Sequence, residues 1–308
     1  MIMKRKLVKQ GQRALTITLP SSWVEKNNLK QGDDIDLLEV DDALTISTEK
    51  IQATKEINVD IRGLMPRLAD RFIARAYQKG YDKITINFDT PELMLAIKNK
   101  VPELMGFEIL NISKQEMEIQ IISSQLDLDF DTILRRAFLI LMDMAKTCQN
   151  SWKSNDKVSL ENIYHQDFDV NRFLYFCLRY LNKSRKVMTF GRSILYYLIE
   201  SLEDLGDELK DLGKILSKTK PDNDALQMLN KLNEMFRLSY EFFYTPDKNK
   251  ANSVLRMNKE ISSMITIQIE NDNHQLMKML ISVEFSRRLI YHIVTMRLDT
   301  LKELSEDK

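Results

Sequence analysis

The spacing of the apolar residues changes twice along this 308-residue chain, and the changes divide it into three regions. Over about 3–49 apolar and polar residues alternate, as at Leu15 and Ile17, which is the period of a strand with one buried face. Over 55–124 strand-like and helix-like segments alternate, and from 127 onward the spacing is helical. The chain is therefore predicted to be mainly α-helical, with smaller β and α/β parts before the helices.

These patterns predict four structural parts. A hairpin β unit with one short helix occupies 1–50, and a small α/β segment of order βαβαββ occupies 51–125. A six-helix bundle follows, made of two three-helix repeats over 126–220 and 221–308. The repeat is indicated by apolar positions of the third and sixth helices that lie 81 residues apart, such as Leu195 and Leu276.

The first unit is too short to bury much apolar surface by itself. Between Leu15 and Asp33 it reads as a strand, a stop at Pro20, a short helix and a turn at Gly32. Units well below about 70–80 residues usually need disulfides, a metal or a partner chain to be stable. Since no cysteine lies near this segment, we expect a partner chain to complete its core.

The charge of this first unit is strongly uneven, although the whole chain has a formal net charge of zero. Before Gly32 there is one acidic residue, Glu25, against seven basic ones: Lys4, Arg5, Lys6, Lys9, Arg13, Lys26 and Lys30. Two such units related by a two-fold axis would present two basic patches, which suits a DNA duplex. The candidate DNA contacts are Arg5, Lys6, Lys9 and Arg13; the alternative is a solvated strand whose charges prevent edge-to-edge aggregation.

Composition excludes several other classes of function. No apolar run is long enough to cross a bilayer and no secretory segment is visible, so we expect a cytoplasmic protein without membrane insertion. Cys148 and Cys177 lie in apolar helical patterns and are predicted to be packing residues. The three histidines are scattered and no phosphate-binding glycine motif occurs, so neither a zinc motif nor a nucleotide site is expected. We expect no enzymatic activity, because no catalytic constellation is visible.

The third predicted helix of the bundle carries an acidic stripe. Glu203 and Asp207 are four residues apart and share one side of a helix, and Glu200 and Asp211 extend that stripe. Like charges at this spacing repel, and a bound cation would offset the repulsion. The stripe lies opposite the leucines, so the alternative is an ordinary solvent-exposed face.

The opening segment resembles the SpoVT-AbrB swapped-hairpin family. The resemblance rests on the residues at 5–8, Gly11, the strand into Pro20, the helix through Trp23 and the turn at 29–33. It implies an interleaved homodimer, which answers the need for a partner chain. It also implies DNA contact by arginines near the first strand and hairpin.

Two arginines of this sequence, Arg5 and Arg13, match those family positions. The family's helix arginines would fall near Val24 and Glu25, which cannot contact phosphate in the same way. The resemblance therefore implies DNA contact by the hairpin and not by the helix.

The helical region resembles the PhoU family of phosphate-uptake regulators, built from two three-helix repeats. The motif from Glu203 to Asp207 and the segment from Asp167 to Arg172 carry the resemblance. It implies a surface metal cluster, of a divalent ion or of iron or zinc, at the acidic stripe, with the candidate ligands Glu203, Asp207, Glu200 and Asp211. In the second repeat the matching positions are Glu284 and Arg288; arginine cannot ligate a metal, so we expect an ion pair there and no second cluster.

A SpoVT-AbrB-like unit, an α/β segment and a PhoU-like bundle together resemble the archaeal PhoU-type regulators. This combination implies a homodimeric, DNA-binding transcriptional regulator of phosphate uptake. The alternative is an interaction adaptor that docks on a phosphate transporter's ATPase or a sensor protein, with the hairpin serving only dimerisation. An antitoxin role is disfavoured, because such antitoxins are short and this bundle is large.

Overall fold

The structure is a computed structural model that describes residues 4–11, 14–40, 43–48, 54–122, 129–184, 190–270 and 275–301. The chain forms two compact units, Met1–Ala53 and Thr54–Lys308, which are described separately. The α/β segment and the helical bundle both belong to the second unit.

The first unit consists of two short antiparallel hairpins and one short helix. Its elements are β1 (Val8–Gln10), β2 (Ala14–Thr16), α1 (Ser21–Lys26), β3 (Asp36–Val40) and β4 (Ala43–Ser47). Strand β1 pairs with β2, and β3 pairs with β4. The turn after α1 contains Gly32 at a φ of +93°, a conformation that glycine adopts without strain. The predicted hairpin unit with one helix is confirmed, although β2 ends at Thr16 and does not extend to Leu19.

The α/β segment opens the second unit and has the predicted order βαβαββ. Its elements are β5 (Glu56–Asp60), α2 (Pro66–Gln78), β6 (Lys83–Asn87), α3 (Pro91–Lys100), a 3₁₀ turn (Val101–Glu103), β7 (Phe107–Ile112) and β8 (Glu116–Ile121). The sheet order is β5-β6-β8-β7, with β5 parallel to β6 and the other pairs antiparallel. Helix α3 was expected to reach Leu104 but ends at Lys100. Pro102 has no N–H and its ring disfavours a continued α-helix, so the chain tightens into the 3₁₀ turn.

One face of this sheet forms a core with α2 and α3. Alternate strand residues are buried on that face, as the period of two requires: Val59, Ile84, Ile86, Met117 and Ile119. The opposite face carries polar side chains, including Lys83, which pairs with Glu118 at 2.9 Å. The core also receives the ring of Tyr175, which comes from the helical bundle.

Six long helices and one short helix form the bundle. They are α4 (Phe130–Lys153), α5 (Lys157–Glu161), α6 (Ile163–Lys183), α7 (Arg192–Leu216), α8 (Asn223–Tyr244), α9 (Lys248–Glu270) and α10 (Met277–Leu298). The predicted bundle of six helices is confirmed, whereas the single-turn helix α5 was not predicted. Among the described residues, no helix is long and apolar enough to span a membrane.

Two helix boundaries differ from the sequence-based expectation. The fifth helix was expected over Val254–Ile269, after a break at Thr245 and Pro246. Helix α9 begins earlier, at Lys248, where the Asp247 carboxylate accepts the backbone N–H of Lys250 at 2.8 Å. The sixth helix was expected over 273–304, and α10 spans Met277–Leu298. Part of the expected range, 273–274 and 302–304, lies outside the described residues.

The packing of the helices supports the internal repeat. Helices α4, α6 and α7 pack together, as do α8, α9 and α10, and the two sets meet through α4 with α8 and α7 with α10. The positions 81 residues apart are buried in both sets: Leu195, Ile199, Leu202, Leu209 and Leu212 in α7, and Leu276, Leu280, Val283, Ile290 and Ile293 just before and within α10. The third helices of the two repeats are therefore equivalent in their buried faces.

A buried ion pair attaches the α/β segment to the bundle. Arg179 of α6 is 5% exposed and pairs with Asp82, which precedes β6, while also donating to the backbone carbonyls of Tyr77 and Tyr81. Lys183, one turn further along α6, donates to the same Asp82 carboxylate at 2.5 Å. These contacts hold α2 and β6 against α6.

Candidate functional site

The acidic stripe of α7 is only partly solvent-exposed, with 43% of the Asp207 side chain and 62% of the Asp211 side chain exposed. Glu203 is 8% exposed and lies where α7 meets α2 and α6. Asp167 of α6 is 5% exposed and lies beside it. Asp211, at the far end of the stripe, is exposed. Glu200, Glu203, Asp207, Asp211 and Asp167 are called the acidic face below.

Two arginines of α2 pair with the first two carboxylates of the acidic face. Arg75 donates from both terminal nitrogens to the two Glu200 carboxylate oxygens, at 2.5 and 2.6 Å. Arg71 donates to Oε1 of Glu203 at 3.4 Å, and the Tyr175 hydroxyl donates to the same oxygen at 3.4 Å. Burial raises the pKa of Glu203, and the charge of Arg71 opposes that rise only in part.

Lys210 pairs with one carboxylate of α6 and one of α7. Its Nζ lies 2.7 Å from Oδ2 of Asp167 and also donates to Oδ1 of Asp207, so it joins α6 to α7. Burial alone would lower the pKa of Lys210, but the hydrogen bonds to Asp167 and Asp207 outweigh it and raise the pKa. Lys214 pairs with the exposed Asp211 at 3.0 Å.

Gly206 permits the close approach of the two helices at this point. A Cβ at this position would lie 3.2 Å from Oδ1 of Asp167 and 3.4 Å from the Leu141 side chain. The glycine therefore lets Asp167 reach the surface of α7 beside Lys210.

A polar cavity of about 900 Å³ borders this region. Asp70 and Glu103 of the α/β segment line it together with Asp167 and Asn171 of α6. Burial raises the pKa of Asp70, Glu103 and Asp167. One carboxylate oxygen of Asp167 and the amide oxygen of Asn171 accept no hydrogen bond from any described residue.

The arrangement does not fit a metal cluster. Metal ligation requires carboxylates that are free to converge on one ion, whereas the predicted ligands Glu200, Glu203, Asp207 and Asp211 each face a basic side chain. Among the described residues, no group of three or more His, Cys, Asp or Glu side chains is placed to hold a metal ion. Metal binding therefore stays a prediction of the sequence that these side-chain positions do not support.

The ion pair expected in the second repeat is present. Arg288 donates from Nε to the Glu284 carboxylate at 2.7 Å, and Arg287 also binds that carboxylate, at 2.5 Å. The hydrogen bond from Arg287 is the main cause of the lowered pKa of Glu284. The charge of Glu284 is thus balanced by its own helix.

The candidate DNA contacts lie on the first hairpin. Arg5 and Lys6 precede β1 and Lys9 is within it, and all three side chains are exposed. Within the described part of the chain, no salt bridge engages them, so their charge faces solvent. Arg13 lies outside the described residues.

The apolar side chains of the first unit are also exposed. Leu37 and Leu44 are both 60% exposed, and the strand pairing of Leu37 with Ile46 and of Glu39 with Leu44 puts these two leucines on the same face. Leu15 is 61% exposed and stands opposite Lys9 in the first hairpin. Helix α1 has no buried residue. The unit therefore lacks a core of its own among its described residues.

The two cysteines have the predicted packing role. Cys148 and Cys177 are both fully buried and free. Burial raises the pKa of the Cys148 thiol to about 12, and it raises that of Cys177 as well. Neither thiol has the exposure or the lowered pKa of a reactive cysteine.

Comparison with known proteins yields two kinds of similarity. Residues 8–54 match the family described as "Antidote-toxin recognition MazE, bacterial antitoxin". No curated protein sequence gives a significant match to the chain.

Among solved structures, the chain is similar to PhoU from Pseudomonas aeruginosa, with 14% identity and a TM-score of 0.48 over 56% of this chain and 95% of the other. It is also similar to the phosphate transport system regulatory protein PhoU from Streptococcus pneumoniae, with 16% identity and a TM-score of 0.47 over 59% of this chain and 100% of the other. The family match is confined to residues 8–54, and the two structural similarities extend over 56% and 59% of the chain.

Proposed function

We propose that the protein is a homodimeric, DNA-binding regulator of phosphate uptake that acts in the cytoplasm. The observation that carries this proposal is the first unit, which exposes both basic and apolar side chains and matches the MazE antitoxin family over residues 8–54. The proposed activity is binding, without a catalytic step.

Dimerisation is supported by the missing core of the first unit. Leu15, Leu37 and Leu44 are each at least 60% exposed, which is costly in a unit of this size unless a second chain covers them. A second copy of the same unit would bury these side chains by interleaving its strands. The two-fold axis of such a dimer would also double the number of basic side chains on one surface.

DNA binding is supported by the charge of the first hairpin. Arg5, Lys6 and Lys9 are exposed, and the adjacent chain up to Gly32 has only Glu25 as an acidic residue. Basic side chains bind duplex phosphates by releasing condensed counterions, so such binding weakens steeply with salt. Helix α1 carries one basic residue, Lys26, next to the acidic Glu25, so it offers less positive charge than the hairpin.

The link to phosphate rests on the sequence of the bundle. The motif from Glu203 to Asp207, the segment from Asp167 to Arg172 and the two three-helix repeats resemble the PhoU family. In the proposed function, the bundle reports phosphate status to the hairpins through a ligand or a partner protein. The acidic face and the adjoining cavity are the part of the bundle where such a signal would be received.

The decisive experiment measures duplex binding by fluorescence anisotropy at two salt concentrations. The probes are the promoter region of the protein's own gene and a scrambled duplex of the same length. Preferential binding to the promoter is expected, with log K falling by about 0.9 per phosphate neutralised for each unit of log salt. The triple variant Arg5→Ala/Lys6→Ala/Lys9→Ala should bind weakly and have a smaller salt slope, by about one for each phosphate contact removed.

The matched control is Lys153→Ala/Lys157→Ala/Lys220→Ala, which removes the same charge from exposed positions of the second unit. It should bind the promoter like the wild type. Equal loss in both triple variants would indicate a nonspecific charge effect, and unchanged binding by the hairpin variant would exclude the hairpin as the DNA contact.

A second candidate is an adaptor whose hairpin only dimerises, while the bundle docks on a phosphate transporter's ATPase or a sensor protein. The composition of α1 favours it, because this helix has no arginine. The purified protein would then bind the isolated transporter ATPase and show equal, weak affinity for promoter and scrambled duplex. Promoter-specific binding without ATPase binding would exclude the adaptor.

A further inference from the structure

The acidic face carries nearly as many cations as carboxylates. Its five carboxylates, Glu200, Glu203, Asp207, Asp211 and Asp167, are contacted by four basic side chains: Arg71, Arg75, Lys210 and Lys214. Partly buried carboxylates at such short spacing repel one another, and a nearby cation offsets this repulsion. In this protein the polypeptide itself supplies that cation.

Lys210 has the position that a bridging ion would need. Its Nζ contacts Asp167 on α6 and Asp207 on α7, so one positive charge holds carboxylates of two helices together. Lys210 is largely buried, with 22% of its side chain exposed, and its partner Asp167 has 7% exposed. An ammonium group held between two carboxylates in this way leaves no room for a metal ion at the same point.

Two arginines neutralise the carboxylates at the other end of the acidic face. Arg75 binds both oxygens of Glu200, and Arg71 reaches Glu203, and both arginines belong to α2 of the α/β segment. A metal ion bound to Glu200 or Glu203 would have to displace these side chains. The α/β segment therefore covers the end of the stripe that Lys210 does not reach.

We infer that basic side chains, with Lys210 at the centre, take the place of a metal at the acidic face, so that the bundle is folded and stable without a bound metal ion. The inference is independent of DNA binding by the first unit. It also means that removal of Lys210 would leave the carboxylates of Asp167 and Asp207 without their shared cation, and a divalent cation between these two carboxylates would offset their repulsion.

The first test is the metal dependence of the full-length wild-type protein. Elemental analysis after purification without chelator should find well under one metal ion per chain. The melting temperature should be the same with EDTA as with millimolar Mg²⁺ or Mn²⁺. Stoichiometric metal, or a fall of several degrees in EDTA, would overturn the inference.

The second test is the variant Lys210→Met, with Lys214→Met as the matched control because Lys214 is on the same helix and its pair with Asp211 is exposed. Lys210→Met should melt at least about 3 °C below the wild type, and millimolar Mn²⁺ or Mg²⁺ should recover most of that loss. Lys214→Met should match the wild type in both measurements. A Lys210→Met protein that is as stable as the wild type, or that divalent cations do not stabilise, would contradict the role of Lys210.

If Lys210→Met does not fold, the double variant Asp207→Asn/Lys210→Met distinguishes the effect of lost charge balance from the effect of lost packing. It removes one carboxylate together with the cation, so it should regain solubility without any response to divalent cations. A double variant that folds no better than the single one would show that Lys210 acts through packing and would overturn the inference.

Discussion

Arg75 of α2 and Glu200 of α7 form a two-pronged ion pair, with distances of 2.5 Å from Nη1 to Oε1 and 2.6 Å from Nη2 to Oε2. The hydrogen bond to Glu200 is the main cause of the raised pKa of Arg75. The pair connects the α/β segment to the bundle at a point where about 30% of the Arg75 side chain and 26% of the Glu200 side chain are exposed. The ion pair is therefore shielded enough from solvent to help hold the α/β segment against the helical bundle.

A double-mutant cycle with Arg75→Met and Glu200→Gln should give a coupling energy of about 1 kcal/mol. The value is limited because solvent still reaches both side chains. Urea unfolding of the four proteins measures it. The exposed pair Lys214 and Asp211 serves as the control cycle and should give less than about 0.5 kcal/mol; equal couplings in the two cycles would contradict the attachment by Arg75.

Arg179→Met should destabilise the second unit by about 3 kcal/mol. The guanidinium of Arg179 is buried and donates to the carbonyls of Tyr77 and Tyr81 and to Asp82, so its loss removes three hydrogen bonds and one of the two cations that neutralise Asp82. Urea unfolding followed by circular dichroism would measure the change. Arg179→Lys should recover only part of it, because one ammonium group cannot reach three acceptors in a plane; full recovery would show that charge alone matters here.

The stability contributed by Asp82 should depend on pH. Burial alone would raise the pKa of Asp82, but hydrogen bonds from Lys183 and the Lys55 backbone, with the charge of Arg179, lower it below its ordinary value of 3.8. A lowered pKa in the folded state stabilises the fold above the unfolded-state pKa, and that stabilisation is lost as the pH falls. The advantage of wild type over Asp82→Asn should be constant above about pH 5 and shrink below pH 4; a difference that grows on acidification would contradict the ion pair.

Leu44→Asp should prevent dimer formation. Leu44 and Leu37 lie on the same face of the second hairpin with 60% of each residue exposed, and a charge there would be buried in the interface of the proposed dimer. Sedimentation velocity measures the outcome. Val158→Asp, at a position of α5 that is 68% exposed, is the matched control and should remain dimeric; a dimeric Leu44→Asp protein would place the interface elsewhere.

The elements with strong periodicity could be predicted from the sequence. The six long helices follow from apolar residues at helical spacing, as in the leucines of α7, and the α/β order follows from alternating strand patterns bounded by Gly80 and Gly106. Helix α5 was missed because a single turn has too few residues to show a period. It begins at Lys157, and the carboxylate of the preceding residue, Asp156, accepts the backbone N–H of Ser159.

The acidic residues were found from their spacing, but their surroundings were not. Lys210 is three residues after Asp207, so this pair could have been anticipated from helix geometry. The pairing of Arg71 and Arg75 with α7 could not, because it depends on how α2 docks across 125 or more residues of sequence separation. From the sequence alone, a stripe opposite the leucines is expected to be solvent-exposed. In the structure, α2 of the α/β segment covers the part of the stripe that contains Glu200 and Glu203.

The two repeats balance their acidic residues by different means. In the second repeat Glu284 is neutralised by Arg287 and Arg288 of its own helix, whereas in the first repeat Glu200 and Glu203 depend on arginines from a different segment. The two repeats share the positions of their buried residues but differ in which segment supplies the cations that neutralise their acidic residues. A displacement of α2 would therefore change the ion pairing of Glu200 and Glu203 in the first repeat and leave that of Glu284 in the second repeat intact.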